Sequence, residues 1–268
     1  LRISHSDFTD NTKLVHHVLQ DVFGYFGEEL HIPLKFFKKI RPLIKFGAAY
    51  FTINRKVEIE KDLNIWFWNT LFLNRYPGSQ NERISQDIKY LRNEADEGRS
   101  FVDFVKETGT VKDIGSVLSD AHFDRYGKNK LSTKSMYVLL FNRQVSDFYP
   151  TERRNRKLDA HHIFPKNSDV GKEITRENGK KIDNVANITL ISSKTNREIL
   201  DKNPSDYISK IERTYEEKGS DKFYSVMEKH FIDKECIDHL KNNDFDNFFE
   251  TRTKLLRAKM SELVEGGQ

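Results

Sequence analysis

The residues of this chain whose types and spacing could support chemistry lie between positions 159 and 196. The segment Asp159-Ala160-His161-His162-Ile163-Phe164-Pro165 is followed by Asn187 and then by Asn196. A histidine with a near-neutral pKa can take a proton from water at physiological pH. A second histidine and a carboxamide oxygen can bind a divalent ion and leave most of its coordination sphere to water and phosphate oxygens. The set therefore contains the residue types for a proton acceptor beside a divalent metal ion.

Two strand-like runs must position these side chains. The first extends from Lys157 to Phe164, where polar and apolar residues partly alternate, and Pro165 ends it. The second extends from Ile182 to Ile191. Adjacent histidines on an extended strand point to opposite faces, unless the strand ends in a bend, which the nearby proline favours.

A loop and a short helix complete this segment. We expect a polar loop from Lys166 to Lys181, because the stretch is polar and contains two glycines. Ser192-Ser193 is typical of a helix N-cap, and it predicts a helix from Lys194 to Asp201 that carries Asn196 near its start. The predicted order is strand, loop, strand and helix.

The parts of the chain on either side of this segment are expected to be helical. Apolar residues recur there at three- and four-residue steps, which predicts amphipathic helices with buried stripes. The stripes are Leu63, Trp66, Phe67 and Leu71; Ile84, Ile88, Leu91 and Ala95; Tyr207, Ile208, Ile211 and Tyr215; and Phe245, Phe248, Phe249, Leu256, Met260 and Leu263. The segment from Leu34 to Phe51 is also predicted to be helical.

The predicted fold class is mainly α. The N-terminal helical stripes stop near residues 142–151, where Pro150 follows. We therefore predict a helical domain at residues 1–150 and a second domain at residues 151–268, in which C-terminal helices follow the strand-bearing segment.

The strand-bearing segment resembles the HNH, or His-Me finger, nuclease motif. The matching residues are His162-Ile163-Phe164-Pro165, Asn187-Ile188-Thr189-Leu190 and Asn196-Arg197. The resemblance implies an inserted ββα-metal (HNH) finger, with His162 as the general base and Asn187 as the residue that braces the loop orienting it.

The same resemblance implies a site for one divalent metal ion. His161 and Asn196 would be its ligands, and Mg²⁺ or Mn²⁺ would suit such a water-rich site, although Ni²⁺ or Zn²⁺ is also compatible with a histidine ligand. His161 stands where the family usually has an acidic residue, so Asp159 is the alternative ligand if His161 does not bind metal.

A wider resemblance is to the C-terminal half of GmrSD-type restriction endonucleases. It rests on Trp66-Phe67-Trp68, Arg75-Tyr76, Asn187 to Ile191 and Asn203 to Tyr207. This resemblance implies a DNA substrate, defence against phage or foreign DNA in a prokaryote, and an N-terminal ParB-like nucleotide-hydrolysing partner domain that is missing from this chain. No Walker-type Gly-x-x-x-x-Gly-Lys-Ser/Thr sequence occurs, so we expect no nucleotide hydrolysis by this chain.

Positive charge is concentrated around the predicted site. Residues 152–213 contain 14 Lys and Arg against 10 Asp and Glu, a net charge of +4 that equals the charge of the whole chain. The candidate phosphate-binding residues are Arg153, Arg154 and Arg156 before the first strand, and Lys194, Arg197 and Lys202 on or beside the short helix. A solvated helix face is an equally good interpretation of the last three.

The composition excludes several other classes of protein. The single cysteine, Cys236, excludes an internal disulfide framework and a cysteine-based zinc site. No apolar run approaches the roughly 20 residues that span a bilayer, and no signal-like segment opens the chain. We therefore expect a cytoplasmic protein with no membrane partner.

Hydrolysis of DNA phosphodiesters, by nicking, is the leading functional hypothesis. The first alternative is a DNA-binding module whose nuclease site is silent without its partner domain. The second is a structural domain that docks through its N-terminal helices, although such a role would need none of the four candidate site residues. The sequence leaves open whether the chain forms oligomers.

Overall fold

A computed structural model describes residues 5–33, 59–72, 80–93, 131–150 and 158–266, together with a few isolated positions between them. The described residues are mainly helical and include one two-stranded sheet, so the mainly α prediction is confirmed. Three predicted features lie outside the described residues: the Arg75-Tyr76 pair, the basic run at 153–157 and all but three positions of the segment 34–51.

The described helices are α1 His5–Gly24, α2 Ile59–Phe72, α3 Gln80–Asn93, α4 Leu131–Asn142, α5 Asp169–Ile182, α6 Ser193–Ile199, α7 Pro204–Glu217, α8 Phe223–Lys229, α9 Lys234–Lys241 and α10 Phe245–Val264. A π-helical turn follows α1 at Tyr25–Glu29, and a 3₁₀ turn lies at Val185–Asn187. The strands are β1 Leu158–His162 and β2 Ile188–Ser192.

The chain divides into two compact units. One consists of residues Leu1–Ile114 with Ser261–Gln268, and the other of residues Gly115–Met260. These limits differ from the sequence-based boundary at residue 150, which stays a prediction about domains. The strands and all the described candidate site residues belong to the second unit.

The first unit has an aromatic core on α2. Trp66, Phe67 and Trp68 are fully buried, and the Trp66 indole donates a hydrogen bond to Asp87 on α3 over 3.1 Å. These rings therefore pack inside the protein, as predicted, and do not offer a surface on which bases could stack. The His16-His17 pair, in contrast, is exposed on α1.

The second unit is built around the small sheet. β1 and β2 are antiparallel, and His162 pairs with Ile188 while Leu158 pairs with Ser192. Helix α6 packs against both strands and α4 against β2, while α7 packs against α9. A continuous apolar core joins these elements and includes Phe148, Ile163, Phe164, Ile191, Ile208, Ile211, Met227, Ile237 and Phe248. Because this core surrounds the strands, it holds the candidate site residues in a defined frame.

The predicted polar loop at residues 166–181 is wrong. The structure has helix α5 there, and the second strand is correspondingly shorter than predicted, since it begins at Ile188. Ser168 caps the helix by accepting a hydrogen bond from the amide of Gly171, and Val170 and Ile174 pack on the core. The two glycines suggested a loop, but the cap and the i, i+4 apolar pair outweigh their low helix propensity.

Gly171 serves close packing in the first turn of α5. A Cβ at this position would overlap the carbonyl oxygen of Pro165 and would lie 2.9 Å from the carbonyl carbon of Pro165 and 3.0 Å from that of Lys166. All three are backbone atoms, which cannot move aside as a flexible side chain could. The backbone of the loop that follows β1 therefore packs directly against the first turn of α5.

Gly171→Ala is expected to destabilise the protein by about 1–3 kcal/mol, because the added methyl group overpacks rigid backbone. Urea unfolding followed by circular dichroism measures this effect. Gly24→Ala is the control, since a Cβ at Gly24 meets no atom within 4 Å, and alanine in a helix is favoured over glycine by up to ~1 kcal/mol. Equal effects of the two substitutions would contradict the close packing of the loop on α5.

Candidate functional site

The two predicted metal ligands lie side by side. Nδ1 of His161, on β1, is 2.9 Å from Oδ1 of Asn196, on α6. Because the amide oxygen can only accept, Nδ1 carries the proton in this contact. The sequence separates the two residues by 35 positions. The packing of α6 against the strands brings them together.

His161 is neutral in this environment. It is only 4% exposed, and burial lowers the pKa of its imidazole to about 4 despite the hydrogen bond to Asn196. The rings of Phe148 and Tyr207 pack edge-on against it. Its second nitrogen, Nε2, is buried and has no hydrogen-bond partner among the described residues. A neutral imidazole is the form that can donate a lone pair to a metal ion.

The 2.9 Å between Nδ1 of His161 and Oδ1 of Asn196 is the length of a hydrogen bond. Two ligands at about 2.1 Å and at right angles on an octahedral ion are also about 3.0 Å apart, so the two atoms would bind one ion only after the hydrogen bond is lost. Binding would require Nδ1 to exchange its proton for the ion. Among the described residues there is no group of three or more His, Cys, Asp and Glu side chains that could hold a metal.

His162 has a different environment from its neighbour. Its Nε2 is 3.2 Å from Oδ1 of Asp183, and the other carboxylate oxygen of Asp183 accepts a hydrogen bond from Lys166 over 2.8 Å. The side chain of His162 is 23% exposed. Burial lowers the pKa of His162, while the hydrogen bond and charge of Asp183 raise it and Lys166 lowers it, so the net direction is down. A neutral imidazole with an oriented ring is what a general base needs.

Asn187 lies at the end of the 3₁₀ turn and is fully buried. Its Oδ1 accepts a hydrogen bond from the amide of Phe164 over 2.9 Å, and its Nδ2 donates to the carbonyls of Phe164 over 3.1 Å and Ile182 over 2.9 Å. Its backbone carbonyl accepts from the amide of Ile163 over 2.8 Å. Asn187 thus binds the two residues that immediately follow His162, and its role in bracing a catalytic loop stays a prediction.

Asp147 holds the beginning of α6. Its buried carboxylate accepts hydrogen bonds from the backbone amide and hydroxyl of Ser192, at 3.2 and 2.6 Å, and from the hydroxyl of Thr195 at 2.7 Å. The Ser192 side chain also caps the helix by accepting from the amide of Thr195, which confirms the N-cap predicted from the sequence. A carboxylate at a helix N-terminus is favourable because of the helix dipole. These contacts fix the direction of the helix that carries Asn196.

The remaining predicted site residues are placed as follows. Asp159 lies two residues before His161, on the same face of β1, and its carboxylate accepts a hydrogen bond from the hydroxyl of Ser193. Lys194, Arg197 and Lys202 are exposed. Lys194 also lies 3.9 Å from Glu198, a weak i, i+4 ion pair. The three candidate arginines at 153, 154 and 156 lie outside the described residues.

Sequence reasoning did not single out Asp183 or Asp147. Asp183 follows a helix that was not predicted, so its proximity to His162 had no visible signal. Asp147 lies in the predicted boundary region at residues 142–151. A single acidic residue there carries no local signal of a functional role. Both act through contacts over long sequence separations, 21 residues for Asp183 and 45 to 48 for Asp147.

Comparison with known proteins shows sequence similarity to an archaeal protein. The chain is 29% identical over 241 residues to the uncharacterized protein MJ0686 of Methanocaldococcus jannaschii, and the match covers 83% of this chain. It covers 40% of the relative, so the chain spans less than half the length of the protein it matches. No protein-family model matches the chain.

In the described part of the chain, no helix combines the length and the apolar character needed to cross a membrane.

Asp183→Asn is expected to lower the pKa of His162 further, because the substitution removes the negative charge that favours the imidazolium. Lys166→Met should act in the opposite direction, since it removes a positive charge that disfavours the imidazolium. The His162 ring resonances in a ¹H–¹⁵N NMR titration measure both shifts. A His162 pKa that moves in the same direction in both variants would contradict this electrostatic arrangement.

Proposed function

We propose that this chain is a metal-dependent HNH-type endonuclease that hydrolyses DNA phosphodiester bonds. The observation that carries the proposal is the contact between His161 and Asn196 at 2.9 Å, directly beside a histidine whose following loop is braced by a buried asparagine. The four residues singled out from the sequence lie on β1, on the turn before β2 and on α6, three elements joined by the strand pairing and by the packing of α6 on both strands.

The local chain order supports the assignment to a ββα-metal finger. β1 carries both histidines, β2 pairs with it in antiparallel register, and α6 packs on both strands and carries Asn196. Helix α5 lies between the two strands, where the sequence predicted a loop. This insertion lengthens the connection and leaves the pairing of the strands intact.

His162 would take the proton from the attacking water. A carboxylate accepts hydrogen bonds only, so the contact with Asp183 places the ring proton of His162 on Nε2. The lone pair that receives the proton from water is then on Nδ1. Asp183 fixes the tautomer and the ring orientation in the way that a carboxylate orients a catalytic histidine in other hydrolases.

His161 and Asn196 would hold one divalent ion, and Mg²⁺ or Mn²⁺ is favoured if water and phosphate oxygens take the remaining coordination positions. The ion, when bound, would neutralise the negative charge that develops on the phosphate during hydrolysis. Lys194 and Arg197 are exposed on the same helix as Asn196 and would contact the flanking phosphates. Because one site cuts one strand, the expected product is a nick.

The biological setting belongs to the same proposal. The resemblance to GmrSD-type restriction proteins favours cytoplasmic defence against phage or foreign DNA in a prokaryote. It also favours a ParB-like nucleotide-hydrolysing domain as the partner. The match to a longer archaeal protein is compatible with such a partner but does not identify it.

One observation favours a second function, DNA binding by a module whose nuclease site is silent without its partner. His161 is almost fully buried and its Nδ1–H is already engaged by Asn196, so metal binding requires this contact to rearrange. A partner domain could supply that rearrangement. In this case DNA binding would survive both chelation and the loss of His162.

His162→Ala is expected to reduce the nicking of supercoiled plasmid in Mg²⁺ by about 10²- to 10⁴-fold, because it removes the general base. Gel electrophoresis of the plasmid forms measures the rate. His16→Ala is the matched control, since His16 is an exposed histidine on α1. Equal nicking by the wild type and His162→Ala would refute the assignment, and salt-dependent gel shifts without any nicking would favour the silent module.

Asn196→Ala is expected to weaken Mn²⁺ binding by about tenfold or more, since it removes one of two protein ligands. Electron paramagnetic resonance of free Mn²⁺ measures the affinity without any need for activity. Asn242→Ala is the control, because Asn242 is an exposed asparagine that bonds only its own helix through the carbonyl of Asp238. An unchanged affinity in Asn196→Ala would exclude Asn196 as a ligand.

A further inference from the structure

Arg252 is a fully buried arginine in the middle of α10. Its guanidinium donates hydrogen bonds to the backbone carbonyls of Ala186 and Ile188, the latter over 3.1 Å. It also donates two bonds to the carbonyl of His230, at 3.3 and 3.0 Å. These acceptors are backbone oxygens, so the contacts do not depend on the identity of the side chains at those positions.

Ala186 and Ile188 are the two neighbours of Asn187. Arg252 therefore binds the backbone on both sides of Asn187, whose side chain bonds to Phe164 and Ile182. Phe164 is two positions after His162, so α10 is connected to the loop behind the candidate base through the bonds of Arg252, the backbone at Asn187 and the bonds of the Asn187 side chain. The contacts span 66 residues between Arg252 and Ala186.

A planar guanidinium is suited to this task. Its N–H donors form a rigid fork that can reach two separate carbonyls at once, whereas all the donors of a lysine lie on one nitrogen atom. Burial lowers the pKa of Arg252 to about 10, so the side chain is still charged at neutral pH. Burying a charge is costly, and apolar residues of similar volume often serve stability equally well. A charged group retained here is better explained by the geometry it imposes.

We propose that Arg252 is a positioning residue for the candidate nuclease site, which fixes the turn that carries Asn187 and, through it, the loop that follows His162. The effect of Arg252 on catalysis rests on the proposed function. Its effect on the loop after His162 can be tested without that function. The experiment therefore has one arm that needs no activity and one that does.

The first arm is amide hydrogen exchange on the intact chain. Arg252→Met should increase the exchange of the amides of Ile163 and Phe164, which donate to Asn187, by about tenfold or more at a temperature where circular dichroism shows the fold intact. Arg252→Lys should restore part of the protection. Arg143→Met is the matched control, because Arg143 donates to the carbonyl of Glu228 and makes no bond to the Asn187 turn.

The second arm is the kinetics of plasmid nicking. Arg252→Met should lower kcat by about tenfold or more with the KM for DNA changed less than twofold, while Arg252→Lys recovers part of kcat and Arg143→Met leaves kcat unchanged. Unchanged exchange at Ile163 and Phe164 in Arg252→Met would overturn the proposal, as would equal effects of Arg252→Met and Arg143→Met. If neither Arg252 variant folds, Arg252 is required for the fold and the positioning role is rejected.

The two arms also separate the two proposals. A wild-type protein that never nicks DNA would refute the proposed function, yet the exchange measurement would still decide whether Arg252 holds the loop.

Discussion

The side-chain amide of Asn187 makes three hydrogen bonds inside the protein, two to Phe164 and one to Ile182. A buried amide with unsatisfied groups would cost about 1–3 kcal/mol for each missing partner, so these bonds must form together with the fold. They join the end of α5, the turn before β2 and the loop after β1. That loop begins directly after His162, so these bonds fix the backbone next to the candidate base.

Two neighbouring histidines have different chemistry because their surroundings differ. His161 is enclosed by aromatic rings and contacts a neutral amide, so burial keeps it uncharged. His162 is more exposed and contacts a carboxylate that also binds Lys166. The first environment keeps the imidazole neutral, whereas the second holds an imidazole that solvent can reach. Strand alternation supplies the two environments by directing consecutive side chains to opposite faces.

Much of the site could be predicted from the sequence because its signals are local. The strand before Pro165, the serine cap before α6 and the buried stripes of the helices all depend on neighbouring residues, and the structure contains the strand, the cap and buried stripes. Helix α5 has no such unambiguous local signal, because its two glycines are typical of turns. The role of Gly171 is to allow a helix to touch the backbone of Pro165, and such a contact between distant segments leaves no periodic pattern.

The sequence by itself determined which residue types stand at which spacing: a histidine pair, an asparagine before a strand and an asparagine on a helix, in a mainly helical chain. Only the tertiary structure decided that His161 and Asn196 touch, that Asp183 rather than a nearer acid faces His162, and that Arg252 holds both sides of Asn187. The reason is physical. Helix and strand periodicity is encoded over a few residues, whereas these contacts join positions 21 to 66 residues apart and arise only when apolar burial packs the elements together.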